Sequence, residues 1–400
     1  LNTHYTTGDV IDVRIEKIVP RGFGLAFAEN LTVLVPLSTP GDELRVSIRE
    51  IKKRMAFAEI VNVKQPGPKR IAPPCEHFGT CGGCNFQQMS YAAQLEAKAG
   101  LVRDCLQRIG KITYEADIPV IPSPQEFGYR SRARWQIDRD AKAVGYYARN
   151  SHEVIDINAC PVLTPGLQST LEYVRESIDW NTIPENGAKM EAATGEEGRV
   201  SMFSREGSEP TAELSFSVNG DTYAFSAEVF FQANKFLIPE LIEAAVGDAR
   251  GDLSFDLYCG VGLFAIPMAR RFGKVVAVEE HPAAVRFAKK NVANSNAENI
   301  KIVGKSVSKF LADNKTKRID LILIDPPRAG TEKGTIPAIA ALKPAHISYV
   351  SCEPSILARD LRLLVDSGYA IDKLTALDLF PQTHHVETVV RLSCTEARTK

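Results

Sequence analysis

No stretch of this 400-residue chain is apolar for long enough to span a bilayer, which excludes an ordinary membrane-spanning helix. The opening LNTHYTTGDVIDV has no basic stretch leading into an apolar core, so no signal peptide is read there and the expected compartment is the cytoplasm. Cysteine is scarce: eight in 400 residues cannot be a disulfide scaffold, and in a reducing compartment clustered thiols point to metal or catalysis. A dominant charge is missing too. With a formal net charge of -1, any contact with a polyanion must rest on local patches. The length exceeds one ordinary core and predicts two or three domains.

What is present changes texture along the chain. GDVIDVRIEKIVPRGFGLAFAENLTVLVP alternates apolar and polar residues and breaks at glycine or proline, as do LRVSIREI and MAFAEIVNV, so residues 1–65 read as a small β-barrel. Residues 1–70 hold 11 Lys plus Arg against 8 Asp plus Glu, with a run REIKKR at 49–54; this is a weak basic bias that a solvated face explains equally well. KQPGPKRIAPP (64–74) reads as a linker. In SYAAQLEAKAGLVRDCLQRIG, Leu95, Val102, Leu106 and Ile109 recur at helical spacing, with Gly110 as a stop. Strand-like patterns return over 125–230. There, YRSRARWQI places Arg130, Arg132 and Arg134 on one strand face, where three cations expect an anion unless the strand is an exposed edge. From about 250 the chain alternates strands and helices, with LSFDLY, KVVAVE, NIKIV, IDLILID, AHISYVS and ETVVRL as strands of a doubly wound parallel sheet.

Chemistry gathers at the strand ends. FDLYCGVGLFAIPMA (255–269) is strand, glycine turn and helix, in which Gly260 and Gly262 let the backbone approach a ligand. The next strand ends in Glu279, 19 residues after Gly260, where a carboxylate can accept from both ribose hydroxyls. Ala265 is a permitted third small residue, so this loop alone leaves a nicotinamide dinucleotide open. IDPPRAG (324–330) puts Asp325 in a rigid turn at the ligand edge, and VSCEPS (350–355) puts Cys352 on the same edge. CEHFGTCGGC (75–84) brings Cys75, Cys81 and Cys84 together, a spacing that suits zinc or iron–sulfur equally.

DLYCGVG, DPPRAG, SCEPSILARDL and HHVETVVRL, in that order, resemble the S-adenosylmethionine-dependent RNA uracil-5-methyltransferases. The barrel resembles their TRAM domain, an OB-type RNA-binding barrel, and CEHFGTCGGCNFQQMSYAAQL resembles their iron–sulfur segment. The resemblance implies a TRAM barrel over 1–65, a central α+β domain with an iron–sulfur cluster over 71–225, and a Rossmann-like class I methyltransferase domain over 226–400. It implies Cys352 as the nucleophile that adds to carbon 6 of uracil, Glu387 as the base that removes the carbon 5 proton, and Asp325 beside both reactants. For S-adenosylmethionine it implies Gln232, Tyr258, Gly260, Gly262, Glu279, Ser306 and Asp325; for a [4Fe-4S] cluster, Cys75, Cys81, Cys84 and the distant Cys160. Leu263 and Ser306 depart from the pattern, and Glu353 beside Cys352 must point away if the thiol is to ionise.

The expected partner is RNA whose target uridine is flipped out or lies in a loop, held by the barrel and Arg130, Arg132 and Arg134. Ribosomal RNA is favoured, a tRNA T-loop uridine is the alternative, and a monomer is expected. A radical S-adenosylmethionine enzyme would space its three cysteines C-x3-C-x2-C, not C-x5-C-x2-C. Two readings of another kind, a non-catalytic RNA-binding protein and an NAD-linked iron–sulfur oxidoreductase, must explain Cys352, Glu387 and Asp325 together. The cluster is expected to stand apart from the chemistry, pinning the central domain.

Overall fold

The computed structural model describes residues 5–204, 209–314, 316 and 318–395. The N-terminal barrel consists of β1 (Val10–Arg14), β2 (Lys17–Val19), β3 (Phe23–Ala28), β4 (Leu31–Val35), β5 (Glu43–Lys52) and β6 (Met55–Gln65), ordered β1-β5-β6-β4-β3-β2. Alternation does the folding here: Leu44, Val46 and Ile48 point inward from β5 and are fully buried with Val33 and Val35 of β4. The segment read as a linker is pinned to the barrel. The buried Asp42 carboxylate accepts from Gly67 N at 2.8 Å and from Arg70 Nη2 at 2.8 Å.

The central region contributes α1 (Tyr91–Arg108), β7 (Val120–Ile121), β8 (Arg132–Asp138), β9 (Ala143–Tyr147), β10 (Val154–Asp156), α2 (Pro165–Ser177), β11 (Ala188–Thr194) and β12 (Val200–Ser204). An antiparallel sheet ordered β10-β9-β8-β11-β12 packs Trp135 and Ile137 against Leu167, Leu171 and Val174 of α2. Helix α1 departs from the expected seam. Leu95 is half-buried and Ile109 is 43% exposed, whereas Gln94 and Lys98 are buried beside Leu101, Val102, Cys105 and Leu106. Gly110 does more than end the helix: a Cβ there would meet Ala358 O at 2.8 Å, so its bareness allows the close approach to the C-terminal domain.

The C-terminal region holds β13 (Leu214–Val218), β14 (Asp221–Phe225), α3 (Ile238–Val246), β15 (Gly251–Leu257), α4 (Ala265–Ala269), β16 (Phe272–Glu279), α5 (Pro282–Asn294), β17 (Ile300–Gly304), α6 (Val307–Asp313), β18 (Leu321–Ile324), α7 (Thr335–Ala341), β19 (His346–Ser351), α8 (Pro354–Asp366), β20 (Tyr369–Leu377) and β21 (Glu387–Cys394). Its sheet runs β17-β16-β15-β18-β19-β21-β20-β7. The first five are parallel, as expected, but β21 is antiparallel to both neighbours, so the sheet is mixed. Strand β20 was not foreseen: its Asp372–Lys373 pair interrupts the apolar pattern beside a bulge between Ile371 and Lys373.

The boundary expected at 225/226 cuts through a core. Leu214, Tyr223 and Phe225 pack with Leu241, Phe264 and Phe287 on one face of the large sheet. On the other face Val102, Cys105 and Leu106 of α1 pack with Leu357, Leu361 and Leu364 of α8, and β7 closes the edge of the sheet beside β20. Each of those leucines, at most 1% exposed, stabilises by roughly 1.5–3 kcal/mol relative to exposure. Among the described residues no helix is long and apolar enough to cross a membrane.

Candidate functional site

The carboxyl ends of the parallel strands face a cavity of about 870 Å³. In an open α/β sheet this is where connecting turns leave room for a ligand. The turn after β15 is held in left-handed backbone at Tyr258 (φ 64), Gly260 (φ 54) and Gly262 (φ 94). For a tyrosine this conformation is strained, and its hydroxyl is tied to Glu332. A Cβ on Gly260 or Gly262 would meet nothing within 4 Å, so both glycines leave open space beside the backbone. Glu279, at the end of β16, accepts from Gly260 N at 3.0 Å and from Glu280 N and His281 N at 2.8 Å each, which orients its carboxylate at the cavity wall. Beneath them Asp256 is wholly buried, and burial, with the Asp325 charge, pushes its pKa up. The cavity is also lined by Gln232, Tyr258, Leu263 and Asp325.

Three of the expected site residues converge on one side. Asp325, Cys352 and Glu387 all line the cavity, from the ends of β18 and β19 and the start of β21. The antiparallel direction of β21 is what brings its first residue to the carboxyl ends of its neighbours. Burial pushes the Cys352 thiol up to about 12, reinforced by the Glu387 and Asp325 carboxylates. Burial together with Asp325 pushes Glu387 well above the ordinary range, and burial raises Asp325 as well. Two carboxyl groups so placed hold protons more tightly than either would in water. Glu353 caps α8, accepting from Ser355 Oγ at 2.7 Å, but it stays near enough for its charge to add to the rise of the Cys352 thiol, so the expectation that it turns away is not met.

Ser306 does not belong to this wall. Its hydroxyl pairs with Ser308 Oγ at 3.4 Å, and the next residue, Val307, lines the cavity instead.

The three arginines do not form a free cationic face. Arg130 precedes β8 and lines the cavity beside the cysteines; Arg132 donates to the carbonyls of Val229 and Ala227, the latter at 2.6 Å; Arg134 pairs with Glu191, which also pairs with Arg132. Arg132 is therefore tied to partners inside the protein, whereas Arg130 faces the cavity itself. Arg134 keeps exposed surface, but its charge is matched by Glu191.

Cys75, Cys81, Cys84 and Cys160 line the same cavity as Cys352. Burial raises Cys81 and Cys160 and pushes Cys84 up to about 12. Among the described residues no three His, Cys, Asp or Glu side chains are grouped to hold one metal ion, although the charges of neighbouring thiols, Cys75 among them, add to the rise of Cys81, Cys84 and Cys160.

Sequence reasoning also missed the frame around Glu387. Lys98 of α1 is buried in an ion pair with Asp378 and donates to Phe380 O at 3.0 Å. Gln94 donates to Gln382 Oε1 at 3.0 Å, and Gln382 N donates back to Gln94 Oε1 at 2.9 Å. Asn85, next to Cys84, brackets His384, pairing with its Nδ1 at 2.8 Å and accepting its backbone N–H at 2.9 Å. The available signal was the pair Gln94 and Lys98, polar residues one turn apart on the stripe that continues into Leu101 and Cys105.

A glycine turn after the first strand, an acid after the second and a single antiparallel strand among parallel ones define a Rossmann-like methyltransferase domain. The more particular statement comes from comparison with known proteins. The tRNA (uracil-5-)-methyltransferase family model matches residues 211–395, and the TRAM domain model matches 5–61. An RNA methyltransferase of Thermosynechococcus vestitus is 30% identical over 96% of this chain and 98% of its own. The 23S rRNA (uracil(1939)-C(5))-methyltransferase RlmD of Pectobacterium atrosepticum is 30% identical over 95% of this chain and 92% of its own. The crystal structure of Pyrococcus abyssi tRNA (uracil-54, C5)-methyltransferase with S-adenosyl-L-homocysteine matches with a TM-score of 0.73 at 26% identity, covering 96% of this chain and all of that one. The chain belongs to the RNA (uracil-5-)-methyltransferase family and carries an N-terminal TRAM domain.

Proposed function

We propose that this enzyme methylates carbon 5 of one uridine in 23S ribosomal RNA through a covalent adduct on Cys352. The observation that carries the reading is the meeting of Cys352, Asp325 and Glu387 beside the open glycine turn. S-adenosylmethionine, when bound, supplies an electrophilic methyl group. Gly260 and Gly262 leave it room, Glu279 is placed for the ribose hydroxyls, and Gln232, Tyr258 and Asp325 border it.

Carbon 5 of uracil is a weak nucleophile until sulfur adds to carbon 6 and leaves electron density on carbon 5. Cys352 is a protonated thiol at neutral pH, so its proton must leave as sulfur bonds to carbon 6. An ionised member of the Asp325/Glu387 pair is the acceptor at hand. After methylation, Glu387 takes the proton from carbon 5 and the carbon–sulfur bond breaks, returning Cys352. Because its pKa is raised, Glu387 must first lose its own proton to act as this base, leaving Asp325 to carry the thiol proton and return it to the departing Cys352 sulfur.

The 30% identity to RlmD over nearly the whole chain favours ribosomal RNA. The fold match to the tRNA uracil-54 enzyme supports the alternative, a T-loop uridine. A [4Fe-4S] cluster on Cys75, Cys81, Cys84 and Cys160 belongs to the same proposal. Four thiols on one chamber are the ligand set such a cluster needs, and bound iron would ionise thiols that burial otherwise keeps neutral.

The test is labelled S-adenosylmethionine with purified, unmodified 23S ribosomal RNA and tRNA in separate reactions, scored for 5-methyluridine in the digests. Label only in ribosomal RNA is expected; label only in tRNA selects the alternative, and label in neither refutes the reading. RNA containing 5-fluorouridine should trap a covalent complex that Cys352→Ala abolishes. Anaerobically purified protein should carry iron and sulfide that Cys160→Ser loses.

A further inference from the structure

The turn between β2 and β3 is built in an unusual way. Arg21 stands in left-handed backbone at φ 70, and Gly22 follows at φ 77. Left-handed backbone costs a non-glycine residue about 1–2 kcal/mol, so something must hold this turn. What holds it is a three-way junction. A Cβ on Gly22 would meet Asn85 Nδ2 at 2.7 Å and His384 Cβ at 2.9 Å, so the barrel is seated directly on the cysteine segment and on the strand entry leading to Glu387.

Arg21 is exposed, and no ion pair or hydrogen bond of its side chain is found among the described residues. Across the junction Arg328, exposed on the cavity lip three residues after Asp325, is equally unpartnered among the described residues. Both lie close enough to His384 for their charge to add to burial, the larger cause, in pushing its pKa down to about 4. That places positive potential at the cavity mouth, unlike the matched charges of Arg132 and Arg134. The turn also adjoins two half-buried aromatic rings: Phe23 lies edge-on to Phe57 with centroids 5.9 Å apart, and Lys52 Nζ sits 5.7 Å from the Phe57 ring centroid. Unmatched cations beside stackable rings are the surface that single-stranded RNA recognises.

We propose that Arg21 of the barrel and Arg328 of the methyltransferase domain form a clamp for backbone phosphates of the single-stranded RNA flanking the target uridine, with a neighbouring base laid on Phe23 and Phe57. The clamp rests on the reading that a uridine enters the cavity at Cys352. Its physical role is to fix the strand on both sides of the domain junction, so that the flipped nucleotide is directed at the thiol. The barrel then acts in the site itself, beyond any general affinity for RNA.

The test is binding of a fluorescein-labelled 12-nucleotide oligouridylate by anisotropy over a range of salt concentrations. Each phosphate contact on a single strand contributes about 0.7 to the slope of log affinity against log salt. Arg21→Ala and Arg328→Ala should each lower the slope by about 0.7, and the double variant by about 1.4. Arg21→Lys should restore the slope but only part of the affinity, because lysine keeps the charge without the guanidinium fork. Arg21→Gly relieves the left-handed strain, so it should fold at least as stably as the wild type and still lose the slope. An unchanged slope in Arg21→Ala and Arg21→Gly overturns the clamp. In methyl transfer, Arg21→Ala should raise KM for RNA several-fold with kcat unchanged; a loss confined to kcat also overturns it. Wild-type protein that binds the oligonucleotide with the full slope but methylates no RNA would defeat the methyltransferase reading while leaving the clamp supported.

Discussion

Replacing Lys98 by methionine isolates the contact that joins the central region to the catalytic loop. Lys98 and Asp378 are both fully buried, and Lys98 also holds Phe380 O at 3.0 Å. Lys98→Met keeps most of the side-chain volume and strands the Asp378 carboxylate, a change of the kind that costs about 3–5 kcal/mol. The penalty has a ceiling, because the stranded carboxylate can take up a proton. Protonating a carboxylate of ordinary pKa costs about 4 kcal/mol at pH 7 and only about 1.5 kcal/mol at pH 5. Because protonating a stranded carboxylate costs less at low pH, the defect must grow with pH.

The observable is hydrogen exchange in the intact protein at the amides of Asp378, which donates to Ile121 O at 2.9 Å, and Gln382, which donates to Gln94 Oε1 at 2.9 Å. A local cost of about 4 kcal/mol lowers protection about a thousandfold at pH 7, and about a hundredfold less at pH 5 after correction for intrinsic exchange. The double variant Lys98→Met/Asp378→Leu removes both charges and should recover most of the protection. Less than a tenfold loss at pH 7, a loss independent of pH, or a double variant worse than the single would refute the reasoning.

The raised thiol of Cys352 predicts that alkylation by iodoacetamide accelerates about tenfold per pH unit from pH 7 to 9 without a plateau, because the thiolate fraction is still climbing; a plateau below pH 8 would contradict it. Glu387 carries a raised folded pKa, so its stabilising contribution is full below the unfolded value and is lost as pH rises through the folded one. Glu387→Gln should consequently be inactive yet more heat-stable than the wild type at pH 8, with the gap closing towards pH 4.5; thermal unfolding at the two pH values decides it. Gly262→Val puts a side chain into open space at φ 94, so it should weaken S-adenosylhomocysteine binding by calorimetry more than tenfold while costing only about 1–2 kcal/mol of backbone strain.

The parts of the site legible in the sequence are those carried by strand ends. Cys352, Asp325, Glu279 and the glycine turn sit where a strand gives way to a turn, and apolar runs bounded by glycine and proline mark such points without any tertiary information. Strand β20 escaped because a bulge and the Asp372–Lys373 pair break its period. Arg132 and Arg134 read as RNA contacts on strand alternation taken together with the family resemblance. Their true partners, Glu191 and the carbonyls of Ala227 and Val229, lie 57 to 97 residues away, and no local pattern announces them.

By itself the sequence determined which chemical groups stand at the strand ends and in what order, because backbone sterics and hydrophobic periodicity act over a few residues. Tertiary structure decided everything that depends on charge and contact between distant segments. It reversed β21 so that Glu387 meets Cys352, seated Gly22 against Asn85 and His384, and buried Lys98 on Asp378. It also neutralised Arg132 and Arg134 while leaving Arg21 and Arg328 unmatched among the described residues. Hydrogen bonds and ion pairs fall off over a few ångströms in space whatever the separation along the chain, so only the folded arrangement determines which of these charges are free.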